Sequence, residues 1–318
     1  MDEIQTFYTY LRSQQAARDF LFMSYNREEL PDAEVKSYEN CHAFLYYLDH
    51  GLRLYENGKN VDSFIRPILY FYGMVHLLKA SLLAKRPNYP ESTSLLAHGV
   101  TTRKKKKKNY TFIEDEVKVQ INGLFPYFTE HLYSKDLLHF EKVKMGHLLA
   151  LIPEMSPLFS FYEQEEPMVV VGSCRSDILL FPITILDHYQ VTDSTFLRRI
   201  KPFLPEIMHY ETDHALLKIK LKQHAGSKPG PFFVHGKSGD IYFPQKREYY
   251  FPIAEVMIHY LLLYNLSMLC RYETEWWGDL FAGKTDQDYS FIIQFLSITA
   301  EKIPELLGKE LLQRIYGK

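Results

Sequence analysis

Cysteine is scarce: Cys41, Cys174 and Cys270 lie far apart in 318 residues. An odd number at unpaired spacing argues against a disulfide or zinc framework and points to a reducing cytosol. Net charge is lacking as well. A formal total of −2 removes any global pull towards nucleic acid, so a polyanion would have to be held locally. The most apolar stretch, FPIAEVMIHYLLLYNLSMLC, is broken by Glu255, His259 and Asn265, whereas a bilayer span needs about 20 mostly apolar residues. It reads as a buried helix, and no membrane association is expected. The opening MDEIQTFYTYLRSQ has no apolar core of the signal-peptide kind, which again predicts a cytoplasmic protein. The histidines form no His-Glu-x-x-His or comparable ligand pair, so neither a metal nor a cofactor is expected.

What the chain does have is apolar and aromatic bulk, at 46% and 15% of residues, enough to bury a sizeable core. Residues 1–165 read as helical. Ile65, Ile68, Leu69, Tyr72, Val75, Leu78 and Leu82 recur at three- and four-residue steps, with Asp62 or Ser63 as N-cap and Pro67 in the first turn. Tyr38, Cys41, Leu45, Leu48 and Leu52 make a second stripe with Gly58 as terminator, and SKDLLHFEKVKMGHLLALIPEM predicts another helix ending before Pro153. Residues 166–252 change character: MVVVGS, DILLFPITIL, ALLKIKLKQ, PFFVHG and GDIYFP are short, β-branched or aromatic runs between Gly, Pro and Asp. Leu217, Ile219 and Leu221 alternate with Lys218, Lys220 and Lys222, the pattern of a sheet with one wet face, and FFVHGKSGDIYF predicts a hairpin around 237–239. Over 253–318 helices return, in stripes through Ile253 to Met268, Tyr289 to Ile303, and Leu307 to Ile315. The fold class is α+β and predominantly helical, with a small antiparallel β region and C-terminal helices that pack back on the first group.

One charge run stands out, Arg103, Lys104, Lys105, Lys106, Lys107 and Lys108, six residues ahead of Glu114, Asp115 and Glu116. On a helix its five like-charge pairs at three- and four-residue spacing would cost on the order of 1–2.5 kcal/mol. Extended-favouring Val100–Thr102 and Tyr110–Phe112 flank it, so a loop or hairpin tip over 101–110 is expected. Six cations against three carboxylates leave +3, a contact for phosphates or for an acidic protein surface, screened beyond about 8 Å. The bland alternative is a solvated, solubilising loop on a scaffold.

Other motifs promise less. HGKSGD lacks the glycine that a phosphate loop needs at position 231, which is Pro231, and it lies between strands. VVVGSCRSD has no nucleophile elbow, leaving Cys174 a structural role. HYETDH puts His209, Glu211 and Asp213 on one face of an extended segment, a metal or acid–base arrangement that surface alternation explains equally well. His76, on an apolar stripe, reads as a hydrogen-bonded core residue. In LSMLCRYETEWWGDLF, Arg271 answers a helix C-terminus and the tryptophans plug helices together, or Arg271 and Trp276 belong to a binding surface.

The segments PILYFYGMVHLLKASLLA, LLAHGVTTRK, INGLF and LSMLCRYETEWWGDLF together resemble the YaaC-like family of bacterial cytosolic proteins, over nearly the whole chain. That resemblance implies no reaction; its members are often encoded near IMP dehydrogenase, which implies a link to guanine-nucleotide synthesis and a candidate partner. The helical N-terminal half, with His98 and Gly99, also resembles HEPN-type domains, many of which bind or cut RNA. Nuclease members carry an Arg followed five to seven positions later by His, and no arginine here has one. The expected function is therefore non-catalytic binding or regulation, with His98, Arg103–Lys108, Arg271 and Trp276 recognising a nucleotide, RNA or an acidic partner. The rival expectation is a HEPN-like nucleic-acid-processing enzyme using His98 or the His209–His214 segment.

Overall fold

The structure is a computed structural model that describes residues 3–102, 110–164, 166–225, 229–284 and 286–316. The run Arg103–Lys108 lies outside the described residues. Helices α1 (Glu3–Leu11), α2 (Gln14–Arg27), α3 (Ala33–Lys59) and α4 (Arg66–Lys85) come first. Then follow β1 (Val100–Thr102), β2 (Glu116–Val119), α5 (Leu124–Phe128), β3 (Lys142–Lys144), α6 (Met145–Ala150) and α7 (Ser156–Glu163). The middle of the chain holds β4 (Met168–Ser173), β5 (Ile178–Pro182), α8 (Thr184–Tyr189) and α9 (Asp193–Ile200). It goes on with β6 (Ile207–Thr212), β7 (Leu216–Leu221), β8 (Phe233–Val234) and β9 (Asp240–Pro244). Helices α10 (Glu255–Tyr272), α11 (Thr274–Gly283) and α12 (Gln287–Tyr316) close the chain. The α+β, mostly helical class is what the residue patterns predict.

Two compact units divide the described residues, one drawn from 1–109, 116–143 and 259–318, the other from 110–115 and 144–258. The first unit is built on α3 and α4. Gly51 and Gly73 face each other there: a Cβ on Gly51 would stand 2.7 Å from Leu77 Cγ and 3.1 Å from the Gly73 carbonyl, and one on Gly73 would meet Tyr55 and the Gly51 carbonyl. Gly58, read in sequence as a terminator, instead lies inside α3 against the ring of Tyr70, which stacks on Tyr55 at 5.1 Å. The buried face of α3 is Cys41, Phe44, Leu48, Gly51 and Tyr55, rotated from the expected stripe, so that Tyr38 is 69% exposed. Asp62 and Ser63 do not cap α4; it begins at Arg66, and Asp62 accepts from Phe64 N at 2.8 Å in the turn before it. By length and composition α4 could cross a membrane, yet 72% of that stretch is buried within the structure.

The stripes read as two C-terminal helices belong to one, α12, which passes through Pro304 without ending. The Tyr8 hydroxyl donates to the Pro304 carbonyl at 2.7 Å, and Gly308 leaves room for Ile4 and Tyr8 against α12. Buried His259, one of the interruptions of the α10 run, finds Thr299 of α12 at 2.9 Å from its Nδ1. Of the helix expected over 134–152 only α6 (Met145–Ala150) and a single turn at Lys135–Leu137 form. Glu141 to Lys144 alternates charge with buried Val143, and Val119 N donates to Glu141 O, so this stretch joins β2 as a strand while Lys118 pairs with Glu141 at 2.7 Å.

In the second unit the five predicted strand runs all appear, as β4, β5, β7, β8 and β9. Two three-stranded sheets, ordered β4-β9-β8 and β5-β7-β6, pair antiparallel throughout. Leu217, Ile219 and Leu221 are buried, while Lys218 and Lys220 pair outside with Glu211 and Asp177. Phe181, Tyr189, Phe196 and Phe243 form the aromatic centre of this core, with ring centroids 5.2–5.9 Å apart. The β8–β9 hairpin closes at Gly239, whose φ of 74° suits glycine.

The α3–α4 contact yields a stability prediction. Overpacking a core costs about 1–3 kcal/mol, and valine regains only part of glycine's helix penalty of about 1 kcal/mol. Gly51→Val should therefore lower stability by about 2 kcal/mol in urea unfolding; a midpoint at or above that of the parent would show that the interface has room.

Candidate basic–aromatic site

Helix α4 buries most of its surface and leaves one half-buried line, Tyr72, His76 and Lys79, at steps of four and three residues. Helix α3 adds Tyr47 and His50: the Tyr47 and His76 rings are 6.0 Å apart, His50 and His76 5.5 Å, and Lys79 Nζ stands 5.6 Å over the Tyr47 ring. Lysine over an aromatic face is a favourable, directional contact.

His98 enters from the loop before β1. Gly99 (φ 77°) and Gly123 (φ 121°) are pressed together so closely that a Cβ on either would run into the other's backbone. Leu124 N donates to Ala97 O at 2.7 Å, Phe125 N to His98 O at 3.1 Å, and the Tyr260 hydroxyl to His98 O at 2.9 Å. This clasp joins the AHG and NGL segments and turns the His98 ring onto Phe71 at 4.9 Å, Tyr264 at 5.8 Å and Tyr72 at 6.1 Å. Arg271, in the last turn of α10, donates to Ser267 O at 3.0 Å and to the Tyr72 hydroxyl at 3.1 Å, and its guanidinium lies 5.8 Å from the Tyr72 ring. Tyr72 thus has His98 on one side and Arg271 on another.

Two histidine nitrogens in this cluster, His76 Nδ1 and His98 Nδ1, are buried without a hydrogen-bond partner. The hydrogen-bonded core role expected for His76 is not met at Nδ1: the residue is half-buried and that buried nitrogen has no partner. Burial first, then the charges of Lys79 and His50, pushes His76 down to about 4. Burial, then Arg271 and Lys79, lowers His98, and burial lowers Lys79. Every charged neighbour acting on the two histidines is basic. At neutral pH the site offers neutral imidazoles, a guanidinium and an ammonium among tyrosine rings, a set that attracts an anion.

The residues singled out in sequence fare differently. His98 and Arg271 come together. Trp276 stands on α11 with its ring 6.3 Å from Trp277, and Trp277 is the sealed one, donating from Nε1 to Phe64 O at 2.9 Å. In the HYETDH segment Glu211 pairs with Lys218, and Asp213 accepts from Ala215 N and Leu216 N, so its carboxylates hold a sheet and a turn. Among the described residues no group of three or more His, Cys, Asp and Glu could hold a metal ion. Tyr47, His50, Tyr72, His76, Lys79 and Tyr264 were missed. The available signal was polar or ring-bearing residues repeating at 72, 76 and 79 on a helix otherwise apolar.

Comparison with known families decides the relationship, since the YaaC-like protein family model matches residues 9–311, a span that includes the whole cluster. The chain belongs to the YaaC-like family. No curated protein and no solved structure matches it. In this YaaC-like chain, then, the site's chemistry is read from its own geometry.

The depressed histidines make an acid-sensitivity prediction. A neutral buried imidazole has a lower affinity for protons than its unfolded counterpart, so stability is full above pH 6.5 and declines as pH falls towards 4. His98 and His147 act in the same direction. Thermal melts between pH 7 and 4.5 should show a shallower decline for His76→Gln than for the parent; identical slopes would mean that His76 titrates as in water.

Proposed function

We propose that this YaaC-like chain is a non-catalytic, cytoplasmic binding or regulatory protein that takes an anionic ligand at the His98–Arg271 cluster. The observation that carries the reading is the meeting of His98 and Arg271 at Tyr72, with Lys79 acting on both His98 and His76 and only basic residues acting on the histidines. Arg271 suits a phosphate, and the half-buried Tyr72 suits a base, which favours a nucleotide or a single-stranded RNA segment. An acidic surface of a nucleotide-pathway enzyme such as IMP dehydrogenase is the protein counterpart of that chemistry. The basic run Arg103–Lys108 supplies a second contact in this reading. A HEPN-like origin of the N-terminal helices, with RNA bound and not cut, is consistent with the lack of an Arg-to-His spacing.

One observation favours a second reading. A partnerless imidazole held neutral close to a guanidinium is the pair that phosphodiester cleavage uses, the first as base and the second as charge clamp. Turnover of RNA that His98→Ala abolishes would replace binding with catalysis.

Titration calorimetry with guanosine monophosphate and with a short single-stranded RNA tests the proposal. Binding by at least one should weaken tenfold or more in Arg271→Gln and recover only in part in Arg271→Lys. It should tighten from pH 7.5 to 5.5, because an anion returns protons to histidines that burial holds neutral, and His98→Gln should flatten that dependence. Replacing Lys104–Lys108 with Gln should weaken RNA binding and lower its salt slope. Affinity indifferent to Arg271→Gln and to the lysine replacements alike would sink the proposal.

A further inference from the structure

The second unit carries a different surface that the basic–aromatic site does not use. In the sheet ordered β5-β7-β6, β6 is an edge: among the described residues it pairs with β7 alone, leaving its outer row of amides and carbonyls without a strand. Edge strands of soluble proteins are usually blunted by lysine, proline or a bulge. Ile207–Thr212 contains neither lysine nor proline, and its one irregularity is a register shift between Ile207 and His209. His209–Thr212 remains regular.

Helix α9 runs beside this edge. Thr212 Oγ1 reaches Asp193 Oδ2 at 3.5 Å at one end, and Lys201 and Ile207 share the other. Between them is a groove of about 520 Å³ with Leu197, Ile207, Met208 and Tyr210 on its apolar side and Arg198 and Lys201 on its rim. Met208 is 60% exposed and Tyr210 43%, although Tyr210 stands opposite buried Ile219 and belongs to the core face.

The charge is one-sided. Neither Arg198 nor Lys201 makes an ion pair among the described residues. The neighbouring carboxylates are occupied: Glu206 by Lys222 at 2.7 Å, Glu211 by Lys218 at 2.9 Å, and Asp193 by Ser194 N and Thr212.

We infer that this groove receives an extended acidic segment of a partner protein, which adds as a fourth strand on β6 and places its carboxylates against Arg198 and Lys201. Main-chain pairing supplies affinity in such strand addition, and alternate side chains supply specificity. Here the side chains that point inwards would cover Met208 and Tyr210, and those near α9 would meet the two cations. The uncompensated rim decides for an acidic occupant over a neutral or basic one.

The test uses the full chain and a fluorescent heptapeptide, acetyl-Glu-Val-Glu-Thr-Glu-Val-Glu-amide, whose carboxylates share one face of an extended strand, read by anisotropy. Saturable binding is expected, weakened at least tenfold by Arg198→Glu combined with Lys201→Glu, with an unchanged melting temperature as the folding control. Two versions of the peptide, N-methylated at alternate residues in opposite phase, distinguish pairing from charge attraction: one phase should abolish binding and the other preserve most of it. The Arg271→Gln variant should bind the peptide as the parent does, which separates this surface from the nucleotide reading. Absence of binding at millimolar peptide, equal loss from both methylated phases, or a chain already dimerised through β6 in sedimentation would each overturn the inference.

Discussion

The close approach of α3 and α4 at Gly51 and Gly73 is the constraint on which the first unit depends. Without side chains at these two points, the helix backbones come near enough for Leu77 and Tyr55 to fill the space beside them. Contact that tight fixes the rotation of α4 about its axis. Once its buried faces are committed, the line left half-buried is Tyr72, His76 and Lys79, beside Tyr47 and His50 of α3, so the position of the basic cluster follows from the same helix pairing that the glycines permit.

A cluster of basic groups with no carboxylate acting on its histidines is unfavourable unless something lowers its charge. Burial does so here by holding His76 and His98 neutral, leaving Arg271 and Lys79 as the lasting cations. Arg271 is partly answered by the carbonyl at the end of its own helix and by the Tyr72 hydroxyl, while Lys79 lies over Tyr47. The Gly99–Gly123 clasp holds His98 through its backbone, and its buried Nδ1 makes no hydrogen bond.

The strands of the second unit were legible because each is a short β-branched or aromatic run between Gly, Pro and Asp, and β7 shows its two-residue period in alternating lysines. The stretch 134–152 was read as one helix, and only Met145–Ala150 is helical; the charged–apolar–charged run Lys142–Lys144 becomes a strand once β2 is beside it. The two C-terminal stripes are one helix in space, its backbone continuing through Pro304. Of the site, His98 and Arg271 could be singled out in sequence, one by its glycine and the other by its position after an apolar helix. Their meeting over Tyr72 could not, since it depends on a loop clasp and a helix end far apart in the chain.

The bond from Tyr8 to the Pro304 carbonyl has a bearing on how the protein is made. Helix α1 finds a partner on α12, which leaves the ribosome long after it. Residues 144–258, needing only the short 110–115 segment from earlier, are complete while that partner is still unsynthesised. The second unit can therefore mature during translation, whereas the contact of α1 with α12 forms only after α12 has been made.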